Sequence, residues 1–451
     1  MRLLLIFVII ASVPSWANAD WPAFRGDGTS HAPPGDYPLH WSPDANLAWI
    51  ADPVGFGQSA PVVFDDLVYI TSIVGPRKET NIVSAYRLAT GELAWYQEFA
   101  SSAPAENTRT VARAAPTAIA RDDGVVAFFE SGDLYALDRD GEVRWQRSLT
   151  HDYGPFLNPH GVGSSPAQWN SSIFVLIDQE SDGYLIALDQ STGQTLWKVD
   201  RPDRSGWSSP VVATLCGEPQ LIVGSSGAVE SFDLATGELL WEQHGFAGNS
   251  IPSPTIDGND LYLGARLGRR AGDISAVARS NCRLTVARKG GAFSVTTEWE
   301  SSRVLSHYAS PVIAGGHVLY SNKVGVLYAL RMDDGRVTAR VRTGGPCMAT
   351  PLVIDDRIYL FQDDGTTKVY QIGEQLSELA TSHLWEHAGI PVATTKATRP
   401  KEPVGTKAEE ESDEVIQQGE VVYGIAASDG SILIRTGTRL FCVRKRHSQS
   451  K

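Results

Sequence analysis

Short runs of apolar and β-branched residues, each closed by a tight-turn sequence, follow one another along most of the chain. Pro61-Val62-Val63 precedes Asp65-Asp66 and then Leu67-Val68-Tyr69-Ile70, the pattern of two strands joined by a hairpin. Asp257-Gly258 and Gly315-Gly316 stand at the equivalent turn elsewhere, where hairpin geometry favours residues that accept positive φ. The expected elements are therefore short antiparallel strands throughout.

The runs repeat. Ala187-Leu188-Asp189-Gln190-Ser191-Thr192-Gly193-Gln194-Thr195-Leu196-Trp197 returns at Ser231–Trp241 and Ala85–Trp95, and one residue shorter at Ala136–Trp145. Ala329–Ala339 keeps the frame with Ala339 in place of the Trp. A small residue, a Pro and an apolar strand precede each copy, at Ala60-Pro61, Ala115-Pro116, Ser165-Pro166, Ser209-Pro210, Ser253-Pro254, Ser310-Pro311 and Thr350-Pro351. Pro is tolerated at the first residue of a strand, and small residues let several strands crowd one axis. A degenerate eighth unit runs through Gly424-Ile425-Ala426-Ala427, Ile432–Arg435 and Leu440–Val443.

Four strands per unit, recurring every 40–58 residues, predict an all-β chain folded as a β-propeller of four-stranded antiparallel blades. Unit ends at Trp95, Trp145, Trp197, Trp241, Trp299, Ala339 and Trp385 count seven blades. Trp49 belongs to an orphan strand without three partners, and the C-terminal unit lacks its fourth strand. Joining them gives an eight-bladed ring closed by the N-terminal strand, which removes an exposed edge.

The expected organisation is a signal peptide over 1–19, an N-terminal arm over 20–45 and a propeller over 46–444, with a disordered insertion at about 391–420 and a basic tail at 445–451. The signal reading rests on Met1-Arg2, the apolar run Leu3–Val13 and Ala17-Asn18-Ala19. That run is too short to span a bilayer, so no membrane span is expected, and the location is periplasmic or extracellular. No Cys stands at the cleavage point, which argues against a bacterial lipid anchor. Residues 268–291 break the period, with Arg266, Arg269, Arg270, Arg279, Arg283, Arg288 and Lys289 nearby, and read as a solvated hairpin extension or an anion-docking patch.

Composition refines this picture. A formal charge of −13 argues against nucleic-acid binding, which needs a cationic face. The 12 Trp against 3 Met read mainly as repeated blade contacts. Cys216, Cys282, Cys347 and Cys442 match no zinc spacing and leave two disulfides or four buried thiols equally open. Asn170-Ser171-Ser172 is a glycosylation sequon, meaningful only in a eukaryotic secretory route.

The Asp-x-x-Thr-Gly-x-x-x-Trp phrase resembles the tryptophan-docking motif of the pyrroloquinoline-quinone (PQQ)-like eight-bladed propellers. These include quinoprotein alcohol dehydrogenases and an outer-membrane assembly lipoprotein. Trp21-Pro22-Ala23-Phe24-Arg25-Gly26 and His160-Gly161-Val162-Gly163-Ser164-Ser165-Pro166 look like exported PQQ-like repeat proteins of planctomycete-type bacteria. The resemblance covers about 21–390 and 421–444, and implies fold far more than activity.

A quinoprotein enzyme needs a calcium site, a carboxylate base and usually two adjacent Cys. No two Cys are adjacent here. The positions three before each strand Pro, expected to line the axis, are Gln58, Arg113, Gly163, Trp207, Ile251, Tyr308 and Met348, with Val422 in the eighth unit. None is a carboxylate, and calcium wants six to eight converging oxygens. Neither PQQ nor Ca²⁺, nor any catalytic or metal-binding residue, is therefore expected. Asp122-Asp123-Gly124 and Asp363-Asp364-Gly365 read as turns.

His160, Arg204, Trp207, His307 and Tyr308 are expected to ring one channel mouth, with His151 on the same face. They form either a ligand-binding funnel or loop residues that satisfy local backbone groups. The expected function is an exported, non-catalytic scaffold that binds a protein partner. The alternative is a small-molecule or saccharide binder, or a quinoprotein-like oxidoreductase, working at that mouth.

Overall fold

The computed structural model describes residues 20–42, 44–107, 111–268, 273–373, 375–384 and 421–446. The signal segment, Arg269, Arg270, Trp385, the 391–420 stretch and the last five residues lie outside the described residues. The described chain forms eight four-stranded antiparallel sheets. Blades one to seven each take four consecutive strands, the first blade being Val62–Phe64, Leu67–Val74, Thr80–Arg87 and Leu93–Ala100. Blade eight combines Val422–Ser428, Ser431–Thr436 and Leu440–Arg444 with the N-terminal strand Leu47–Ala51, in the order expected. Trp49 lies opposite Cys442, and Ile50 opposite Phe441, so the two chain ends close the ring together.

The Trp repeat works as a bolt between blades. Trp49, Trp95, Trp145, Trp197 and Trp299 each donate their indole N–H to a backbone carbonyl in the turn of the following blade, at 2.7–3.0 Å. The turn Gly of that blade lies flat on the ring: Gly91 on Trp49, Gly141 on Trp95, Gly193 on Trp145, Gly237 on Trp197 and Gly335 on Trp299. Gly is required twice over, by positive φ and by ring contact. Trp241 departs from the pattern and donates to Gln220 Oε1 of its own blade at 2.8 Å. Its neighbour, blade five, carries Gly290-Gly291 in open space in place of a docking turn.

This asymmetry yields a prediction. A Cβ at Gly91, where φ is +74°, would stand 2.5 Å from the Trp49 ring, whereas one at Gly290 would meet nothing within 4 Å. Gly91→Ala is expected to lower stability by about 1–3 kcal/mol through strain and overpacking. Gly290→Ala should lose only the backbone share, about 1 kcal/mol. Urea-denaturation midpoints of the two variants check the difference.

Around the axis the small residues do more than save space. Ala60 N–H donates to Thr117 Oγ1, Thr117 to Ser165, Ser165 to Ser209, Ser209 to Ser253, Ser253 to Ser310 and Ser310 to Thr350, at 2.8–3.1 Å. Each buried amide is thereby satisfied by the hydroxyl of the next blade. In blade two the linking residue is Thr117, two places after Ala115. At the seam no hydroxyl is present; there Gly424 packs directly on the Ala60 backbone, with no room for a Cβ.

Blade five corrects the expected insertion. A short helix, Ile274–Arg279, leads into Cys282–Lys289, which is the third strand of the blade and pairs with Asp260–Tyr262 and Ala292–Glu300. The extra residues are spent before that strand, so a regular hairpin only looks displaced in the sequence. The basic cluster is also dispersed: Arg283 pairs with Asp260 at 2.8 Å, and Arg288 pairs with Glu218 of blade four. All four cysteines are free thiols, three of them buried.

Candidate functional site

Because equivalent residues are linked side by side around the axis, the eight innermost strands run in the same direction. One end of the channel therefore collects the loops before these strands, and the other collects their far ends. The far end is closed. Residues 20–42 cross it: Trp21 pairs with Val63 of blade one, and Pro22 accepts the Ala120 N–H of blade two at 2.8 Å. Arg25 donates to Pro254 O at 2.7 Å and Thr255 Oγ1 at 2.8 Å in blade five. His31 meets Ile313 O of blade six at 2.6 Å, and Ala32 donates to Val353 O of blade seven at 2.8 Å. Gly35 then packs on the Gly430 backbone of blade eight. Arg25 is buried with no ion-pair partner among the described residues, and burial lowers its pKa to about 10 against the opposing Asp27 charge. No sequence signal marked this arm as a plug, because its turns and single polar residues carry no period.

The open end carries the expected mouth residues, which the fold gathers as separate groups. His160 is exposed, its ring 5.9 Å from that of Trp207, whose indole N–H donates to Gly161 O at 3.1 Å. His307 and Tyr308 stand edge to face at 4.3 Å, and the Arg266 guanidinium lies 4.7 Å over the Tyr308 ring. His307 is buried, and burial, followed by the Arg266 and Lys323 charges, lowers its pKa to about 4. It is neutral at pH 7.

Arg204 is turned away into a buried network. It meets Glu230 at 2.8 Å, and Arg201 bridges Glu230 at 2.7 Å and Asp178 at 3.0 Å. Burial works against the Arg201 charge, but Asp178 and Glu230 outweigh it, and its pKa rises. The network joins blades three and four behind Trp207. His151 sits exposed on the helix Leu149–Tyr153 beside Asp152, following the outer strand of blade two.

Sequence spacing misplaced one mouth position. Val422 is buried in the core of blade eight, because a bulge between Val422 and Gly424 shifts the alternation. Tyr423 takes its place, hydrogen-bonding with Gln58 and Arg113 and standing 6.0 Å from Phe56. The Arg113 guanidinium covers Phe56 at 3.8 Å. Beneath this group, Glu130 accepts the Ala114 N–H at 3.0 Å and pairs with Lys78 at 3.2 Å, both side chains almost wholly buried. Asp363, read as a turn residue, also reaches the mouth. It accepts the Met348 N–H at 2.8 Å, yet burial and then Asp364 raise its pKa to about 7 against that hydrogen bond.

The raised Asp363 pKa has a definite sign. The unfolded carboxyl titrates near 4, so between about pH 4 and pH 7 the folded protein holds more protons than the unfolded chain. Stability falls as pH rises through that window and is level above it. Asp363→Asn keeps the Met348 hydrogen bond and should remove this share of the slope, as measured by urea midpoints from pH 4 to pH 8.

The sequence profile of the family described as "Outer membrane protein assembly factor BamB" matches residues 39–155, 159–297 and 270–438. The protein of that name from Burkholderia pseudomallei is 25% identical over 292 residues, covering 64% of this chain and 67% of the relative. That of Yersinia pestis is 24% identical over 332 residues, covering 64% of this chain and 79% of the relative. Subunit 1 of the methanol dehydrogenase of Methylorubrum extorquens is 31% identical over only 91 residues, covering 19% of this chain and 13% of the relative. The crystal structure of BamB from Moraxella catarrhalis superposes with a TM-score of 0.57 at 15% identity, covering 90% of this chain and 100% of that one. It shares the fold.

Proposed function

Since the chain belongs to the family described as outer membrane protein assembly factor BamB, we propose that it is a non-catalytic, protein-binding propeller of the bacterial envelope. The observation that carries this reading is the construction of the ring. Its channel is plugged at one end by residues 20–42, leaving a single mouth, while the blade edges and loops remain open to a partner. An extended segment can add to such an edge as a further strand. The relatives' names point to outer-membrane assembly as the setting, and the exported location expected from the N-terminal sequence agrees with it. No helix among the described residues is long and apolar enough to cross a membrane.

The reading includes no bound quinone or calcium. Among the described residues no three His, Cys, Asp or Glu side chains stand close enough to hold a metal ion. The one carboxylate added to the mouth, Asp363, is engaged with a backbone amide. Cys347 is buried, and burial raises its pKa, which suits neither a nucleophile nor a redox partner.

Affinity capture of the full chain from the native envelope tests the proposal. A partner recovered reproducibly at native abundance, and lost on substitution of a blade edge, is expected. Recovery of none would overturn it. The mouth aromatics Trp207, Tyr308 and Tyr423 favour a second reading, a small-molecule or saccharide site. It predicts a rise in Tm with an oligosaccharide or with PQQ and Ca²⁺, abolished by His160→Ala with His307→Ala. An unchanged Tm across that panel removes it.

A further inference from the structure

We propose that the blade five–six rim of the open mouth is an oxyanion-binding site, built from Arg266, His307 and Lys323 against the Tyr308 ring, for a ligand bearing a carboxylate or a phosphate. Arg266 comes from the loop that follows Tyr262, and its backbone is pinned to Asn249 by two hydrogen bonds of 2.8 and 3.1 Å. His307 and Tyr308 precede the innermost strand of blade six, and Lys323 stands exposed in the turn after His317–Ser321. Backbone bridges tie Arg266 to both Asn249 and Ser306, so the guanidinium and the imidazole are carried on one framework.

The lack of both a counterion and a hydrogen-bond acceptor is what singles this cluster out. Elsewhere the inward cations are matched: Arg201 and Arg204 face Asp178 and Glu230, Lys78 faces Glu130 and Arg283 faces Asp260. Arg25 and Arg435, buried without an ion pair, donate to backbone carbonyls and to the Thr255 and Ser72 hydroxyls. Neither Arg266 nor Lys323 has a carboxylate partner among the described residues, although the chain carries 52 acidic residues. Two buried polar atoms also have no hydrogen-bond partner there, Nδ1 of His307 and Nε of Arg266. His307 is 9% exposed. Buried nitrogen atoms without partners are costly to maintain, and a group of uncompensated cations around them is matched by an anion.

A bound anion changes the balance at His307. The groups facing the imidazole are Arg266, Lys323 and the Tyr308 ring, and the first two hold it neutral together with burial. An oxyanion offsets both cations and accepts from the protonated ring, so binding takes up a proton as the pH falls. Affinity is therefore expected to rise from pH 8 to pH 5.

Isothermal titration of the full chain with inorganic phosphate and with succinate, together with the NMR signals of His307, tests the site. Binding at millimolar concentration by either probe, with the His307 signals shifting, is the expected result. Phosphate alone assigns a phosphoryl ligand, and succinate alone a carboxylate. Arg266→Gln should weaken binding about tenfold, the loss of one charge-assisted hydrogen bond. Lys323→Gln, in an exposed turn, should weaken it without touching the fold. Failure of both probes to move His307, or binding unchanged in both variants, overturns the proposal.

Discussion

Arg201→Leu is expected to lower the unfolding free energy by about 3–5 kcal/mol, the loss typical of a buried ion pair deprived of one partner. The Arg201 side chain is 1% exposed and donates from Nε to Asp178 at 3.0 Å, and from Nη2 to Glu230 at 2.7 Å and to Ser225 Oγ at 2.8 Å. Removing it leaves Asp178 without a cation, with the Ser225 hydroxyl as its remaining partner, and leaves Glu230 to Arg204. The effect should therefore shrink when Asp178→Asn is added. Urea unfolding of the single and double variants checks this. Additive losses would show that the pair is not coupled.

The plug should give the second large effect. Trp21 and Trp41 are each 1% exposed, and Trp41 stacks on Phe361 of blade seven with ring centroids 6.5 Å apart. Either one changed to Ala should cost about 3–5 kcal/mol, as large-to-small changes in a core do. Neither indole N–H has a partner among the described residues, so Trp41→Phe should be mild. Trp95→Phe, by contrast, also removes the 2.7 Å hydrogen bond to Arg139 O that joins blades one and two. Comparing thermal unfolding of Trp41→Phe with Trp95→Phe separates tryptophans that fill space from those that bolt blades together.

The ring was legible in the sequence because one contact is used again and again. Thr192-Gly193 and Trp145 belong to a contact that recurs five times, so spacing alone revealed blade number, strand order and the closing strand. Features made once left no period to read. The arm over 20–42 reaches distant blades through single hydrogen bonds, the bulge at Val422 swaps that residue for Tyr423, and Arg204 finds Glu230 through a turn. The candidate mouth residues lie in loops that precede the innermost strands. Their grouping into His160 with Trp207, and His307 with Tyr308 and Arg266, depends on side-chain directions that loop sequences do not encode.

Closure by the N-terminal strand also governs the order in which this molecule can be finished. Leu47 pairs with Val443, and Arg444 N–H donates to Asn46 O, so the first strand made waits for almost the last. At typical synthesis rates the intervening stretch of nearly four hundred residues takes some tens of seconds. Through that interval blade one presents an open face, and the plug has no complete ring to seat on. Such long-range pairing makes for slow folding, and it leaves a partly made chain without a stable resting form. Truncation anywhere before residue 440 should thus yield an open, aggregation-prone array, not a smaller propeller.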